Sequence, residues 1–265
     1  MYTMGIDVGS ASSKVVILED GERVVAAEVV QVGTGSSGPQ RALEQAYEKS
    51  GLTRTDITKL VATGYGRFAF EDADKQISEI SCHAKGIFHL VPTARTIIDI
   101  GGQDAKAIRL DNRGGVKQFF MNDKCAAGTG RFLDVMARVL ETTLDDMADC
   151  DAKAEEAASI SSTCTVFAES EVISQLSKGV DKNSIIKGVH QSVASKACGL
   201  AYRGGLEEDI VMTGGVAKNA GVVRAVEREL KKKVIVAPNP QTTGALGAAL
   251  FAYEEAKKMK KEGLE

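Results

Sequence analysis

The 265-residue sequence has no tryptophan, only four prolines, and no run of apolar residues approaching the length of a membrane-crossing helix. It also lacks an excess of positive charge. Thirty-three basic and 36 acidic residues leave a formal charge of −3, so nucleic acid or an anionic membrane is not expected as the main partner. The lysine runs at Lys231–Lys233 and Lys257–Lys261 fall late in expected helices, where they complement the helix dipole. The opening "MYTMGIDVGS" enters an expected strand without a basic segment and a long apolar run, so no signal peptide is expected and the location reads as cytoplasmic. Five cysteines, Cys82, Cys125, Cys150, Cys164 and Cys198, include no C-x2-C pair. In a reducing compartment they read as buried fillers, catalysts or metal ligands rather than a disulfide frame.

What is present is enough for two compact domains: 43% of residues are hydrophobic and 26% charged. The chain also repeats itself. "IDVGSASSKVVIL" from Ile6 and "IDIGGQDAKAIRL" from Ile98 align Asp7 with Asp99, Gly9 with Gly101 and Lys14 with Lys106 at one common offset, as a duplicated half would. Each copy reads as strand, glycine turn, strand, with Val15–Leu18 and Ile97–Ile100 as β-branched runs. Helices are expected at Gln40–Lys49, Glu79–Leu90, Gly130–Leu140, Ser184–Gly199 and Lys218–Lys231. Strands alternating with helices give an α/β fold, with a boundary near Pro92. The expected halves are residues 1–93 and 94–244, with a C-terminal helix at about 245–265 packing back on the first.

The turns suggest phosphate binding. Glycine lets backbone N–H groups approach an anion closely; Ser10, Ser12 and Ser13 add hydroxyls and Lys14 adds charge, while Gly101, Gly102 and Gln103 occupy the same places in the second copy. Asp7 and Asp99, at the strand ends, suit a hydrated Mg2+. A third turn, Thr213-Gly214-Gly215, ends an apolar strand and precedes a helix, so that Gly214, Gly215 and Asn219 are expected near adenosine. Neither a P-loop nor a G-x-G-x-x-G dinucleotide turn is present. In "NPQTTGALGAALFAYEEA", Gly244 and Gly247 permit either ligand approach or close helix packing.

Cys125 stands in "NDKCAAGTGRFLDVM", ahead of a helix whose Phe132, Leu133 and Met136 form one apolar face. The first-turn N–H groups of that helix are expected to point at whatever Cys125 holds. Cys82 adjoins His83, but adjacent helix positions diverge around the axis and do not converge on one ion.

The paired D-x-G turns followed by "MTGGVAKN" resemble the ATPase superfamily of actin, sugar and acetate kinases and heat-shock chaperones. Within it, "MGIDVGSASSKVVIL", "VATGYGR", "DIGGQDAKAI", "NDKCAAGTGRFLD", "CTVFAESEVISQLSKG" and "TGGVAKN" together resemble the activator ATPases of 2-hydroxyacyl-CoA dehydratases, relatives of benzoyl-CoA reductase ATPase subunits, over about residues 2–255. The resemblance implies a duplicated actin-like fold and a homodimer holding one 4Fe-4S cluster. It also implies ATP hydrolysis that drives a low-potential electron from ferredoxin or flavodoxin to the dehydratase. Four thiolates from two chains would complete a cubane, and Cys125 and Cys164 are the matched pair, each ahead of a helical stretch. For Cys164 that stretch carries Val166, Phe167, Val172, Ile173 and Leu176 as an apolar face. Gln103 and Asp104 are candidates for orienting the hydrolytic water, with Glu169 a third. Three alternatives stand beside this: a small-molecule kinase of the same fold without a cluster, a nucleotide-dependent binding protein, and tetrahedral zinc at the two cysteines.

Overall fold

The structure is a computed structural model that describes residues 1–122, 125–160 and 164–262. The chain forms two compact units. Unit 1 comprises Met1–Thr93, Asp111–Val116 and the C-terminal segment from Gln241, and unit 2 comprises Ala94–Leu110 and Lys117–Pro240.

Unit 1 begins with β1 (Tyr2–Val8), β2 (Ser13–Glu19), β3 (Arg23–Val30), α1 (Gly38–Ser50), β4 (Ile57–Thr63), β5 (Lys75–Gln76) and α2 (Glu79–Leu90). Its sheet order is β3-β2-β1-β4-β5, with β1 antiparallel to β2 and parallel to β4. The unbroken apolar run Val15–Leu18 is explained by burial on both sheet faces. Val15 and Ile17 pack with Ala42, Leu43 and Ala46 of α1, while Val16 and Leu18 pack with Ala245, Leu246, Ala249 and Leu250 near the chain's end.

Unit 2 contains β6 (Thr96–Ile100), β7 (Ala105–Leu110), β8 (Val116–Asn122), α3 (Gly130–Val139), α4 (Leu144–Lys153), α5 (Thr165–Ser177), α6 (Lys182–Arg203), β9 (Ile210–Thr213), α7 (Ala220–Leu230) and β10 (Ile235–Val236). The sheet order β10-β9-β6-β7-β8 is that of unit 1 read from the other edge. β6 pairs antiparallel with β7 and parallel with β9, as β1 does with β2 and β4. The duplication reaches single residues: Asp7 faces Lys14 across its hairpin, and Asp99 faces Lys106.

The last helix, α8 (Thr243–Glu262), lies on the unit 1 sheet and against α2. Its small residues serve close packing. A Cβ on Gly247 would stand 1.8 Å from the Cys82 carbonyl oxygen, one on Gly86 2.1 Å from that of Thr243, and one on Gly5 2.0 Å from that of Ala245.

Several elements differ from expectation for identifiable reasons. α4, "LDDMADCDAK", buries only Met147 and Asp151 and so lacks an apolar period, although Thr143 caps it through the Asp146 N–H. β8 is an edge strand with mostly exposed residues. α7 starts at Ala220 rather than Lys218 because a 3-10 turn over Gly215–Lys218 comes first. α5 does not bury its expected apolar face: Ala168 and Val172 are buried, whereas Val166, Phe167, Ile173 and Leu176 are exposed. Among the described residues, no helix is long and apolar enough to cross a membrane.

The packing yields a paired test. Gly247→Ala, which forces a methyl into the α2 backbone, is expected to lower unfolding stability by about 1–3 kcal/mol. Gly199→Ala, exposed within α6 with open space at its Cβ, is expected to raise it by roughly 0.5–1 kcal/mol. Urea unfolding of both variants checks the opposite signs.

Candidate nucleotide and cysteine sites

At the first turn, Gly9 N–H closes the hairpin onto the Ser12 carbonyl at 3.1 Å. Asp7, 6% exposed, receives Lys14 Nζ on Oδ2 at 3.1 Å. A Cβ on Gly9 would come within 2.8 Å of the Ser12 carbonyl oxygen, so the turn itself requires glycine there. Ser12 is buried beside it, and the Ser13 hydroxyl donates to the Val32 carbonyl at 2.9 Å, which commits that hydroxyl to the fold.

The second turn repeats the arrangement with one addition. Asp99, 2% exposed, takes Lys106 Nζ on Oδ2 at 3.2 Å, and the same ammonium reaches Asp104 Oδ1 at 2.6 Å. Gly101 N–H closes this turn onto the Asp104 carbonyl at 2.9 Å, leaving Gln103 exposed at its tip. Lys106 was not among the site residues expected from sequence, although its place in the repeat is that of Lys14.

A further equivalence escaped the sequence reading. Thr63 lies in register with Asp7, and Thr213 with Asp99. Each threonine is followed by a glycine in the left-handed region, Gly64 at φ +88° and Gly214 at φ +87°. A Cβ would stand 2.3 Å from Asp7 Oδ1 in the first case and 2.8 Å from Asp99 Oδ1 in the second. "ATGYG" and "MTGGV" are thus the same device: each keeps side-chain bulk off one carboxylate oxygen while a lysine holds the other. The signal was the Thr-Gly after an apolar run, hidden because the two copies do not share the hairpins' offset. Carboxylate oxygens are the hard donors that fit Mg2+, which takes one or two carboxylates and keeps several waters.

The third turn is braced from below. Gly214 N–H and the Thr213 hydroxyl both donate to the Pro240 carbonyl, at 2.9 and 2.7 Å. Asn219 caps α7 by accepting from the N–H groups of Gly221 and Val222, and its amide donates to the Leu144 carbonyl at 3.2 Å. His190 lies under this cap, 3.3 Å from Asp151, which also receives Arg224. Burial pushes the Asp151 carboxyl upward, but the hydrogen bonds from His190 and Arg224 outweigh it and hold the group below the ordinary carboxylate range.

Cys125 lies ahead of α3, but the N–H groups there do not face it as anticipated. Gly130 N–H donates to the Gly101 carbonyl and Arg131 N–H to the Gly102 carbonyl, both at 2.8 Å. The start of α3 is therefore bonded to the second glycine turn, and Thr129, whose hydroxyl donates to Ala126, gives no side-chain cap. The Cys125 and Ala127 carbonyls accept from the Asn122 amide, each at 3.2 Å. Cys164 does occupy a helix terminus, as N-cap of α5. Cys125, Cys150 and Cys164 are partly exposed, with Cys150 packed against the core. Cys82 and Cys198 are fully buried, and burial pushes both thiols up to about 12. Among the described residues, no three His, Cys, Asp or Glu side chains converge on a metal position. Thiolate is the donor that iron–sulfur clusters take, and this chain offers two such cysteines ahead of helices.

Residues 4–252 match the BadF/BadG/BcrA/BcrD ATPase family. The chain belongs to that family. Among members of the BadF/BadG/BcrA/BcrD ATPase family and its relatives, the activator of lactoyl-CoA dehydratase of Anaerotignum propionicum is 81% identical over 258 residues, 97% of this chain and 100% of the relative. The crystallised activator of the 2-hydroxyisocaproyl-CoA dehydratase from Clostridium difficile with bound ADPNP is 56% identical, with a TM-score of 0.96 over 99% of this chain and 98% of its own. A ROK family glucokinase from Streptomyces griseus, at 13% identity and a TM-score of 0.56 over 96% of this chain and 100% of its own, shares the fold alone. The resemblance read from the motifs and the duplicated actin-like ATPase fold are both borne out.

In cluster-free native protein, iodoacetamide is expected to modify Cys125 and Cys164 at least about tenfold faster than Cys82 and Cys198, whose thiols are buried and neutral. Peptide mapping by mass spectrometry reads the four rates, and equal rates before denaturation would contradict the assignment.

Proposed function

We propose that this protein is an ATP-dependent reductive activator of a 2-hydroxyacyl-CoA dehydratase. In this reading two copies share one 4Fe-4S cluster, Cys125 and Cys164 of each chain supplying its ligands. When bound, the cluster supplies a low-potential one-electron carrier. Ferredoxin or flavodoxin is the donor, and the setting is cytoplasmic. The names of three relatives support the activator role: at 56–81% identity over nearly the whole chain, they are dehydratase activators.

The chain's own residues divide the work. Gly9, Ser10, Ser12 and Lys14, with Gly101, Gly102 and Gln103, bind the phosphates of ATP. Ser13 contributes through its backbone, since its hydroxyl is held by Val32. Asp7 and Asp99 hold Mg2+, which screens phosphate charge. Gly214, Gly215 and Asn219 shape the adenosine site, the last as the cap that fixes the start of α7. Gln103 and Asp104 orient water, Asp104 being held by Lys106.

The observation that carries the reading is the pair of hydrogen bonds from the first turn of α3 to the Gly101 and Gly102 carbonyls. A change in the phosphates at Gly101–Gln103 shifts that turn, and the Cys125 segment moves with it. Hydrolysis then gates electron delivery and limits its return. A kinase needs no such link to a cysteine. The exposed apolar residues Val166, Phe167, Ile173 and Leu176 of α5, immediately after Cys164, support a second copy as the cover of that surface.

Cys125→Ala and Cys164→Ser, purified without oxygen, are each expected to lose bound iron and to activate the dehydratase at least about 100-fold less, while binding ADP within about twofold of wild type. Undiminished activation by either variant would overturn the ligand assignment. An ATP-dependent phosphorylated small-molecule product would favour the kinase instead.

A further inference from the structure

We propose that Asp151 and His190 form a buried positioning pair for Asn219: the imidazole, oriented by the carboxylate, holds the asparagine amide and so fixes the end of the third glycine turn, the turn assigned to adenosine. The inference rests on the adenosine role given to Asn219 above. Neither Asp151 nor His190 belongs to the motifs that carry the family resemblance.

The contacts run across three helices of unit 2. α4 buries one residue besides Met147, and it is Asp151, 2% exposed. The carboxylate is tied on both oxygens. Oδ2 accepts from Nε and Nη2 of Arg224 at 3.2 and 2.9 Å, and Oδ1 lies 3.3 Å from His190 Nδ1, with the Arg228 guanidinium 3.6 Å away. His190, fully buried on α6, turns its other nitrogen the opposite way: Nε2 stands 3.5 Å from the amide nitrogen of Asn219, the N-cap of α7. The ring lies against the first turn of α7, where a Cβ on Gly221 would be 2.4 Å from both Nδ1 and Cε1.

The hydrogen bonds of Asn219 decide the direction of the network. Its Oδ1 accepts from the Gly221 and Val222 N–H groups, so the other end of the amide is the donor, and its two hydrogens go to the Leu144 carbonyl and to His190 Nε2. Nε2 therefore accepts. The ring hydrogen then sits on Nδ1, and an ionised carboxylate beside Nδ1 is the group that keeps it there. A histidine that only tied α6 to α4 would be complete with Asp151. This one places its second nitrogen on the residue at which the third turn ends, since the Asn219 N–H donates to the Val216 carbonyl at 3.0 Å. The turn is thus held at both ends: Thr213 and Gly214 on the Pro240 carbonyl, and Asn219 on Leu144 and His190.

The test compares His190→Asn with His190→Gln in the full chain. The Asn amide reaches about the Nδ1 position and keeps the contact with Asp151, whereas the longer Gln carries an acceptor to about the Nε2 position, within reach of Asn219. Binding of ADP and of inorganic tripolyphosphate, each with Mg2+, is measured by calorimetry, with thermal melts recorded for every variant. His190→Asn is expected to bind ADP about tenfold more weakly, and tripolyphosphate within about twofold of wild type, as loss of one hydrogen bond on the adenosine side alone would give. His190→Gln is expected to stay within about threefold for both ligands. Asn219→Ser, which still caps α7 but is too short to reach Nε2, is expected to weaken ADP about tenfold as well, and joining it to His190→Asn adds no more than about twofold because both break one link. Gly221→Ala, which drives a methyl into the ring, takes the place of His190→Asn should that variant not fold. The opposite ranking, with Asn like wild type and Gln impaired, would assign His190 to Asp151 alone and overturn the proposal; so would additive losses in the double variant, or equal losses of ADP and tripolyphosphate. If Asn219→Ser weakens ADP while His190→Asn does not, the inference about the pair alone fails, and if Asn219→Ser leaves ADP binding intact, the adenosine role of Asn219 fails with it.

Discussion

Two backbone hydrogen bonds, from Gly130 to Gly101 and from Arg131 to Gly102, join the second glycine turn to the helix that follows Cys125. Helix starts usually satisfy their first N–H groups with a side-chain cap or water. Here Thr129 turns its hydroxyl to Ala126, and the Gly101-Gly102 turn itself caps α3. Gly130 is part of that contact, because a Cβ there would stand 3.1 Å from the Gly101 oxygen. Leaving a buried N–H unsatisfied costs about 1–3 kcal/mol, so turn and helix move together more readily than they separate. Phe132, Leu133 and Met136 of the same helix are buried in the unit 2 core.

The same economy governs the carboxylates. Each β-hairpin places a lysine on one oxygen of its aspartate, and each neighbouring parallel strand ends in Thr-Gly, which puts no side chain beside the other oxygen. Each unit carries one complete copy of this device. Unit 2 departs from unit 1 where its cysteines lie: between β8 and β9 it inserts α3, α4, α5 and α6, whereas between β3 and β4 unit 1 has only α1 as an α-helix.

Much of this was legible in the sequence. The alignment of Asp7 with Asp99 and of Lys14 with Lys106 predicted paired hairpins, and Asp7 faces Lys14 across the first as Asp99 faces Lys106 across the second. Glu79–Leu90 was delimited to the residue, because Ser78 caps it and its apolar period is regular. The Thr-Gly equivalence was hidden by unequal insertions, and α4 by its lack of an apolar face. The orientation of the α3 N-terminus was illegible for a different reason: its partners, Gly101 and Gly102, are distant in sequence and contribute only backbone atoms. The apolar face expected of α5 is there, but periodicity alone did not say that of its five residues only Val172 would be buried.

The central claim is that the nucleotide state reaches the cysteine segment through the second phosphate turn. The most direct measurement is the electron-spin resonance spectrum of reduced protein prepared without oxygen, recorded with ADP and again with a non-hydrolysable ATP analogue, alongside iron and acid-labile sulfide per chain. The account predicts about two irons and two sulfides per chain and a cubane-type signal whose shape differs between the two nucleotides. A cluster signal identical with either nucleotide would contradict the coupling, and protein that takes up no iron on reconstitution would contradict the role of Cys125 and Cys164.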